Sequence, residues 1–139
     1  MPESPSITLG APLLRTGAFQ RQGEPVIIGL GLLEALVRNF KADAYGQKIF
    51  VDVAHNLDLG AAGEIVNLYT KGVLLCADIL WTPFGMEAIF NRGLKYLSAE
   101  FNENFVSNER PYVAHGPVLR GAGLVLRPVM KGLESLEFD

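Results

Sequence analysis

Apolar residues recur along this chain in two rhythms. Over residues 32–40 the positions Leu32, Leu33, Leu36, Val37 and Phe40 fall on one face at helical spacing. Glu34 and Arg38 pair i,i+4 on the other face, and Gly46 marks a loop beyond the end. Residues 84–91 predict a second, shorter helix. Thr82 can cap it, Pro83 suits its first turn, Met86, Ile89 and Phe90 are available for burial, and Gly93 closes it. Elsewhere the rhythm is that of strands. Residues 6–9 and 12–16 read as brief strands separated by Gly10-Ala11, and the polar turn Gln20-Arg21-Gln22-Gly23 leads to an edge segment at 25–28. Ile49-Phe50-Val51-Asp52-Val53 is aromatic and β-branched. Residues 64–69 and 73–80 form a hairpin around Lys71-Gly72, where glycine accepts the positive φ of a tight turn. A strand with alternating faces follows at 96–101, and segments 112–114 and 118–126 are the last two. Many short strands with two helices over one core predict a β-rich α+β domain, a small barrel.

Composition narrows the function classes. A length of 139 residues suits a single domain, residues 1–139, that needs no staples to hold its core. With 49% hydrophobic and only 19% charged residues the chain is neither a disordered tail nor a coiled coil. A net charge of −3 and a pI near 5.4 argue against a nucleic-acid partner. The start of the chain lacks a basic segment followed by an apolar run, and residues 25–33 are too short and too glycine-interrupted to cross a membrane. We therefore expect a soluble protein of a reducing cytoplasm, with no membrane partner. Cys76 alone permits neither an intrachain disulfide nor a multi-cysteine zinc site. Any imidazole chemistry must use His55 or His115, the two histidines present.

Two groups of residues invite a chemical reading. Asp52, His55, Asp58 and Glu64 cluster in sequence. A single histidine among carboxylates argues against zinc, and the Asp/Asn alternation is too sparse for a calcium loop. The expectation is no metal and no cofactor, and spacing alone favours a polar surface loop. Ser98 stands on the strand at 96–101. Its plain role is a small residue tolerated on one face. Its chemical role is a nucleophile, which requires a base within hydrogen-bond reach, and only His55 or His115 qualifies.

Four blocks give the sequence a recognisable order: Val51-Asp52-Val53-Ala54-His55, Ala61-Ala62-Gly63-Glu64-Ile65, Leu80-Trp81-Thr82-Pro83-Phe84-Gly85 and Lys95-Tyr96-Leu97-Ser98-Ala99-Glu100-Phe101. With the final block Gly121-Ala122-Gly123-Leu124-Val125-Leu126-Arg127-Pro128, the chain resembles the Mu-like prophage I proteins, which are tailed-phage prohead (capsid maturation) proteases. The resemblance runs roughly from Ile7 to Met130.

The resemblance implies an assemblin-like fold, a small, mostly antiparallel β-barrel flanked by two or more helices. It implies a serine endopeptidase with Ser98 as nucleophile and His55, 43 positions earlier, as general base. For the third member of the triad, His115 and Asp52 rank level. His115 lies where assemblins carry a second histidine, and Asp52 matches the phage Asp-x-x-His block. Three residues before His55 on an extended chain, Asp52 would point to the opposite face. Glu100, two residues from Ser98 on the same strand face, can line the cleft or orient His55 and ranks behind them. Arg120 and Gly121 are the oxyanion and substrate-binding candidates by similarity to the arginine-containing loop of assemblins.

Phage scaffold and major capsid protein would be the substrates. A homo-oligomer, dimer or higher, would be the active form, and the interior of the assembling prohead in the host cytoplasm its location. Trp81, Phe84 and Met86 read as core packing of the second helix, with an interface as the alternative. The chain departs from the family pattern at Ala54 (for Glu), Ala99 (for Pro) and Val125-Leu126 (for Thr-Asn), positions that bear on subsites more than on the chemistry. An end soon after the final block reads as a protease core, cut as such or matured by self-cleavage. The competing function is a catalytically silent capsid-assembly or scaffold module that uses the same barrel to bind protein.

Overall fold

The computed structural model describes residues 6–21, 23–127, 130 and 133–136. Pro128 of the final sequence block and Gln22 of the first polar turn lie outside the described residues, as does the segment 1–5. The elements are β1 (Ile7–Arg15), β2 (Gly17–Arg21), β3 (Glu24–Ile28), α1 (Leu30–Lys41), β4 (Phe50–Val53), β5 (Gly63–Lys71), β6 (Leu74–Trp81), α2 (Pro83–Arg92), β7 (Tyr96–Val106) and β8 (Ala114–Val125), with a 3-10 turn at Leu57–Leu59.

Six strands form one sheet in the order β1-β6-β5-β4-β8-β7, and β2 pairs with β3 as a separate hairpin. Every neighbouring pair of the large sheet is antiparallel except β4 and β8. The sheet curls until its edge strands β1 and β7 touch, although no ladder joins them among the described residues. The architecture is thus β-rich α+β, and the expected barrel is a curled half-barrel with two α-helices.

The inner face of the curl carries the core. Leu13, Leu36, Leu68, Ile79, Trp81 and Leu124 are essentially fully buried there. Trp81 meets the requirement that a buried indole find an acceptor by donating to Thr8 Oγ1 at 2.7 Å. Met86 is buried and Phe84 packs against the same cluster, as core packing predicts.

The helix starts and stops follow local chemistry. Thr82 Oγ1 accepts the Gly85 N–H at 3.1 Å, Pro83 occupies the first turn, and Gly93 closes α2 in the left-handed conformation. Gly85 is required for a second reason: a Cβ there would overlap the Ala62 carbonyl, so α2 can seat on the 61–63 segment only without a side chain. On α1, Asn39 is buried on the apolar face. Its Nδ2 donates to the carbonyls of His115 (2.9 Å) and Pro117 (2.7 Å), acceptors on the stretch of β8 beyond the β4 pairing.

Several boundaries differ from the sequence expectation: β2 takes in Gln20 and Arg21 of the expected polar turn, and β7 runs past residue 101 to Val106. The segments 6–9 and 12–16 are one strand, because Gly10 (φ 69°) sits in a register shift between Thr8 and Ala11 instead of ending the ladder. Segments 112–114 and 118–126 likewise merge into β8 from Ala114 onward.

Candidate active site

The site is built on three adjacent strands. Asp52 of β4 registers with Gly123 of β8, which registers with Ser98 of β7. One row away, Phe50, Gly121 and Glu100 align in the same manner. Residues in register share a face, so Asp52, Ser98 and Glu100 project to one side. Val51, Leu97, Ala122 and Leu124 project to the other, into the core. The two glycines leave a bare strip along β8 between β4 and β7.

His55 reaches this strip through a strained turn. Immediately after β4, Ala54 (φ 55°) and His55 (φ 61°) both adopt the left-handed conformation, and the Asn56 N–H returns to the Val53 carbonyl at 3.0 Å. Each such non-glycine residue costs about 1 kcal/mol, which the surrounding structure must over-determine. The Ala54 N–H to Leu124 O bond (3.0 Å) pins the turn to β8. The effect is to fold the imidazole back over the sheet. A Cβ on Gly123 would lie 2.8 Å from His55 Nδ1 and 2.9 Å from Cε1, so the ring occupies the space that glycine vacates. The expectation that Asp52 and His55 point to opposite faces presumed an extended chain, and this turn corrects it.

The imidazole is held by Glu100. His55 Nδ1 and Glu100 Oε2 are 2.9 Å apart, with both side chains a little over one-third exposed (38% and 39%). With the Nδ1 proton donated to a carboxylate, the Nε2 lone pair is the free one, the tautomer a base requires. Ser98 faces the glycine that the ring covers. Opposed Cβ positions across an antiparallel pair stand about 5 Å apart, which puts the hydroxyl in the neighbourhood of the ring.

Asp52 completes the cluster from below. It is 6% exposed, and its Oδ1 has no hydrogen-bond partner. One ligand-type atom from each of Asp52, His55 and Glu100 lies within 4.8 Å of the others. Burial and then the Glu100 carboxylate push the Asp52 carboxyl above its ordinary value, against the opposing pull of the His55 imidazole and backbone N–H.

His55, Ser98 and Glu100 open on a pocket of about 380 Å3 whose other walls are mostly apolar: Leu14 from β1, Phe19 from β2, Val26 and Ile28 from β3, with Met130 and Leu133. Gln20 is the neutral amide on this wall.

Other residues singled out in the sequence sit elsewhere. His115 is eight residues along β8 from Gly123, about 25 Å at strand rise, and stacks on Phe105 with ring centroids 6.0 Å apart. The structure does not bring it to His55. Arg120 lies at a register shift between β7 and β8, exposed, and lines a different pocket with Tyr45, Asn102 and Phe105. Gly121 is paired on both sides, so its backbone groups serve the ladders, and its part in the site is clearance beside Glu100. Asp58 lies exposed in the 3-10 turn, and Glu64 pairs with Lys48 at 3.7 Å. The residue the sequence underweighted is Glu100. Its available signal was the period-2 spacing from Ser98.

No described helix is long and apolar enough to cross a membrane. Comparison with curated proteins and with solved structures returned no match. A family model does match, over residues 12–137, a span that contains every residue of the site. That model describes the Mu-like prophage I protein, N-terminal domain, and the chain belongs to this phage-related family.

Proposed function

We propose that the protein is a serine endopeptidase in which Ser98 is the nucleophile, His55 the general base and Glu100 the group that orients the imidazole. The observation that carries this reading is the His55–Glu100 bond, made over the bare Gly123 that stands opposite Ser98. Ser98 Oγ attacks the scissile carbonyl while its proton passes to His55 Nε2. The imidazolium so formed is stabilised by Glu100 and returns the proton to the leaving amine, and water then releases the acyl group by the reverse sequence. The apolar walls of the pocket suit an aliphatic or aromatic side chain next to the scissile bond. Gln20, the amide on the pocket wall, would donate to the substrate main chain. The phage association of the family supports scaffold and capsid precursor proteins as substrates, and the prohead, where they are concentrated, as the place of action. By the same resemblance the active form is an oligomer.

The test uses two readouts. A fluorophosphonate should label wild-type protein at Ser98, found by peptide mass spectrometry, and should fail to label Ser98→Ala and His55→Gln. In parallel, wild-type protein should process the phage's own scaffold or capsid precursor at least about 10^3-fold faster than Ser98→Ala. Unlabelled Ser98 together with equally intact precursor in both reactions would make the domain a binding module of the assembling capsid.

A further inference from the structure

We infer that Asp52, His55 and Glu100 form a binding site for a zinc-class divalent cation, and that occupancy of this site disables His55 as a base. The first part stands on the cluster alone; the second rests on the peptidase reading above.

The donor atoms come from three separately anchored pieces of backbone: β4, the left-handed turn after it, and β7, all pinned to β8. They already lie within 4.8 Å of one another, with the His55–Glu100 pair at 2.9 Å. A tetrahedral zinc ion with bonds of 2.0–2.2 Å holds its ligands about 3.4 Å apart, so side-chain adjustments alone convert the cluster into a coordination shell. Asp52 gives the independent reason to expect an ion. It is 6% exposed, its Oδ1 is fully buried without a partner, and the carboxylate shares the cluster with a second carboxylate. Buried oxygens are nearly always satisfied, and neither the turn nor the ladders of this chain satisfy this one. A divalent cation would satisfy it and offset the two negative charges brought together there. His55 and Glu100 remain accessible enough to give an ion an entrance and to leave a coordination position for water. The imidazole ligand selects against Mg2+ and Ca2+, which prefer all-oxygen shells, and for borderline ions such as Zn2+ and Co2+.

The sequence pointed away from this site because it offered Asp58 and Glu64 as the neighbours of His55. The third ligand comes instead from residue 100.

The consequence for His55 follows from its two nitrogens. In the cation-free site Nδ1 carries the proton shared with Glu100 and Nε2 holds the lone pair that Ser98 needs. A cation takes the Nδ1 lone pair. The Nδ1 proton leaves to solvent and Nε2 takes one up, so the ring stays neutral but has no lone pair left to accept the Ser98 proton.

Calorimetric titration of EDTA-treated full chain with ZnCl2 tests the site without reference to activity. Wild-type protein should bind about one Zn2+ per chain, bind Co2+ with the visible absorption of a low-coordinate centre, and ignore millimolar MgCl2. Asp52→Asn and Glu100→Gln, near-isosteric changes whose folding is checked by thermal melts in EDTA, should each weaken Zn2+ binding by about 10-fold or more. No Zn2+ binding by wild type, or equal binding by wild type and both variants, overturns the site. Fluorophosphonate labelling of Ser98 separates the two parts. Labelling in EDTA that Zn2+ abolishes supports the switch; labelling that Zn2+ leaves unchanged, at saturation, overturns it. Zn2+ binding with no labelling even in EDTA leaves the site standing and removes the peptidase reading instead.

Discussion

Two aspartates on the curled sheet face opposite fates. Asp78 on β6 is fully served: Oδ1 accepts the Gly10 N–H and the Tyr69 hydroxyl, both at 3.0 Å, and Oδ2 accepts from the Asn67 amide at 3.2 Å. Desolvation raises its carboxyl, but the three donors outweigh that and hold it below its ordinary value of 3.8. Asp52 on β4 is more buried, has an orphan oxygen and sits beside Glu100, so its carboxyl is raised above the same value. One aspartate closes a bulge in β1 and stabilises the fold. The other keeps one unsatisfied oxygen next to a strained turn, a general base candidate and an open pocket. Where a protein spends polar groups without satisfying them, the fold is not the beneficiary.

Four measurements can break or sharpen that contrast. The largest effect is expected from Glu100→Gln, which keeps the shape but weakens the hold on His55 Nδ1. Processing of precursor should fall by about 10^2–10^4-fold with little change in melting temperature. A larger loss from Asp52→Asn would hand the orienting role to Asp52. Gly123→Ala comes next. The new Cβ must displace the imidazole, and a ring moved by roughly 1 Å should lower the rate by about 10–100-fold. A variant with full activity would mean that the ring does not work from its position over β8.

Asp78→Ala addresses the other region. It strands the Gly10 N–H and the Tyr69 hydroxyl and should cost about 1–3 kcal/mol in urea unfolding, with Ser98 labelling unchanged in the folded protein. Because the Asp78 carboxyl is lowered in the fold, its contribution is fully present above the ordinary value of 3.8 and fades as pH drops through the folded value. The smallest effect carries the opposite sign. Asp52→Asn in cation-free buffer should raise unfolding free energy at pH 7 by about 0.5–1 kcal/mol, since it removes a buried charge beside another. For a raised carboxyl the penalty appears as pH rises through the folded value, so the gain should vanish in acid, where wild-type Asp52 is neutral. A loss comparable to that of Asp78→Ala would erase the distinction between the two residues.

Much of the architecture was legible in local pattern. The apolar face of α1, the Thr82-Pro83 start of α2, its Gly93 stop and the β5–β6 hairpin at Lys71-Gly72 depend on residues within a few positions of one another. His55 and Ser98 were legible as a pair through the order of their blocks. The left-handed turn at Ala54-His55 was not, because neither residue is a glycine or asparagine, and nothing in the composition announces a backbone that tertiary bonds must hold in place. Gly10 was legible as a break and is in fact a bulge, since its N–H has a partner 68 residues away.

What the sequence determined by itself is therefore the set of elements and the shortlist of reactive groups: one face of each helix, the strand runs, two histidines and a serine on a strand. The register of β4, β8 and β7 was decided only by tertiary structure. Strand pairing between residues 52, 123 and 98 is a property of the whole sheet, settled by which faces must be buried together, and no local window contains it. That register set Glu100, and not His115, against His55, and left one carboxylate oxygen of Asp52 buried without a hydrogen-bond partner beneath them both.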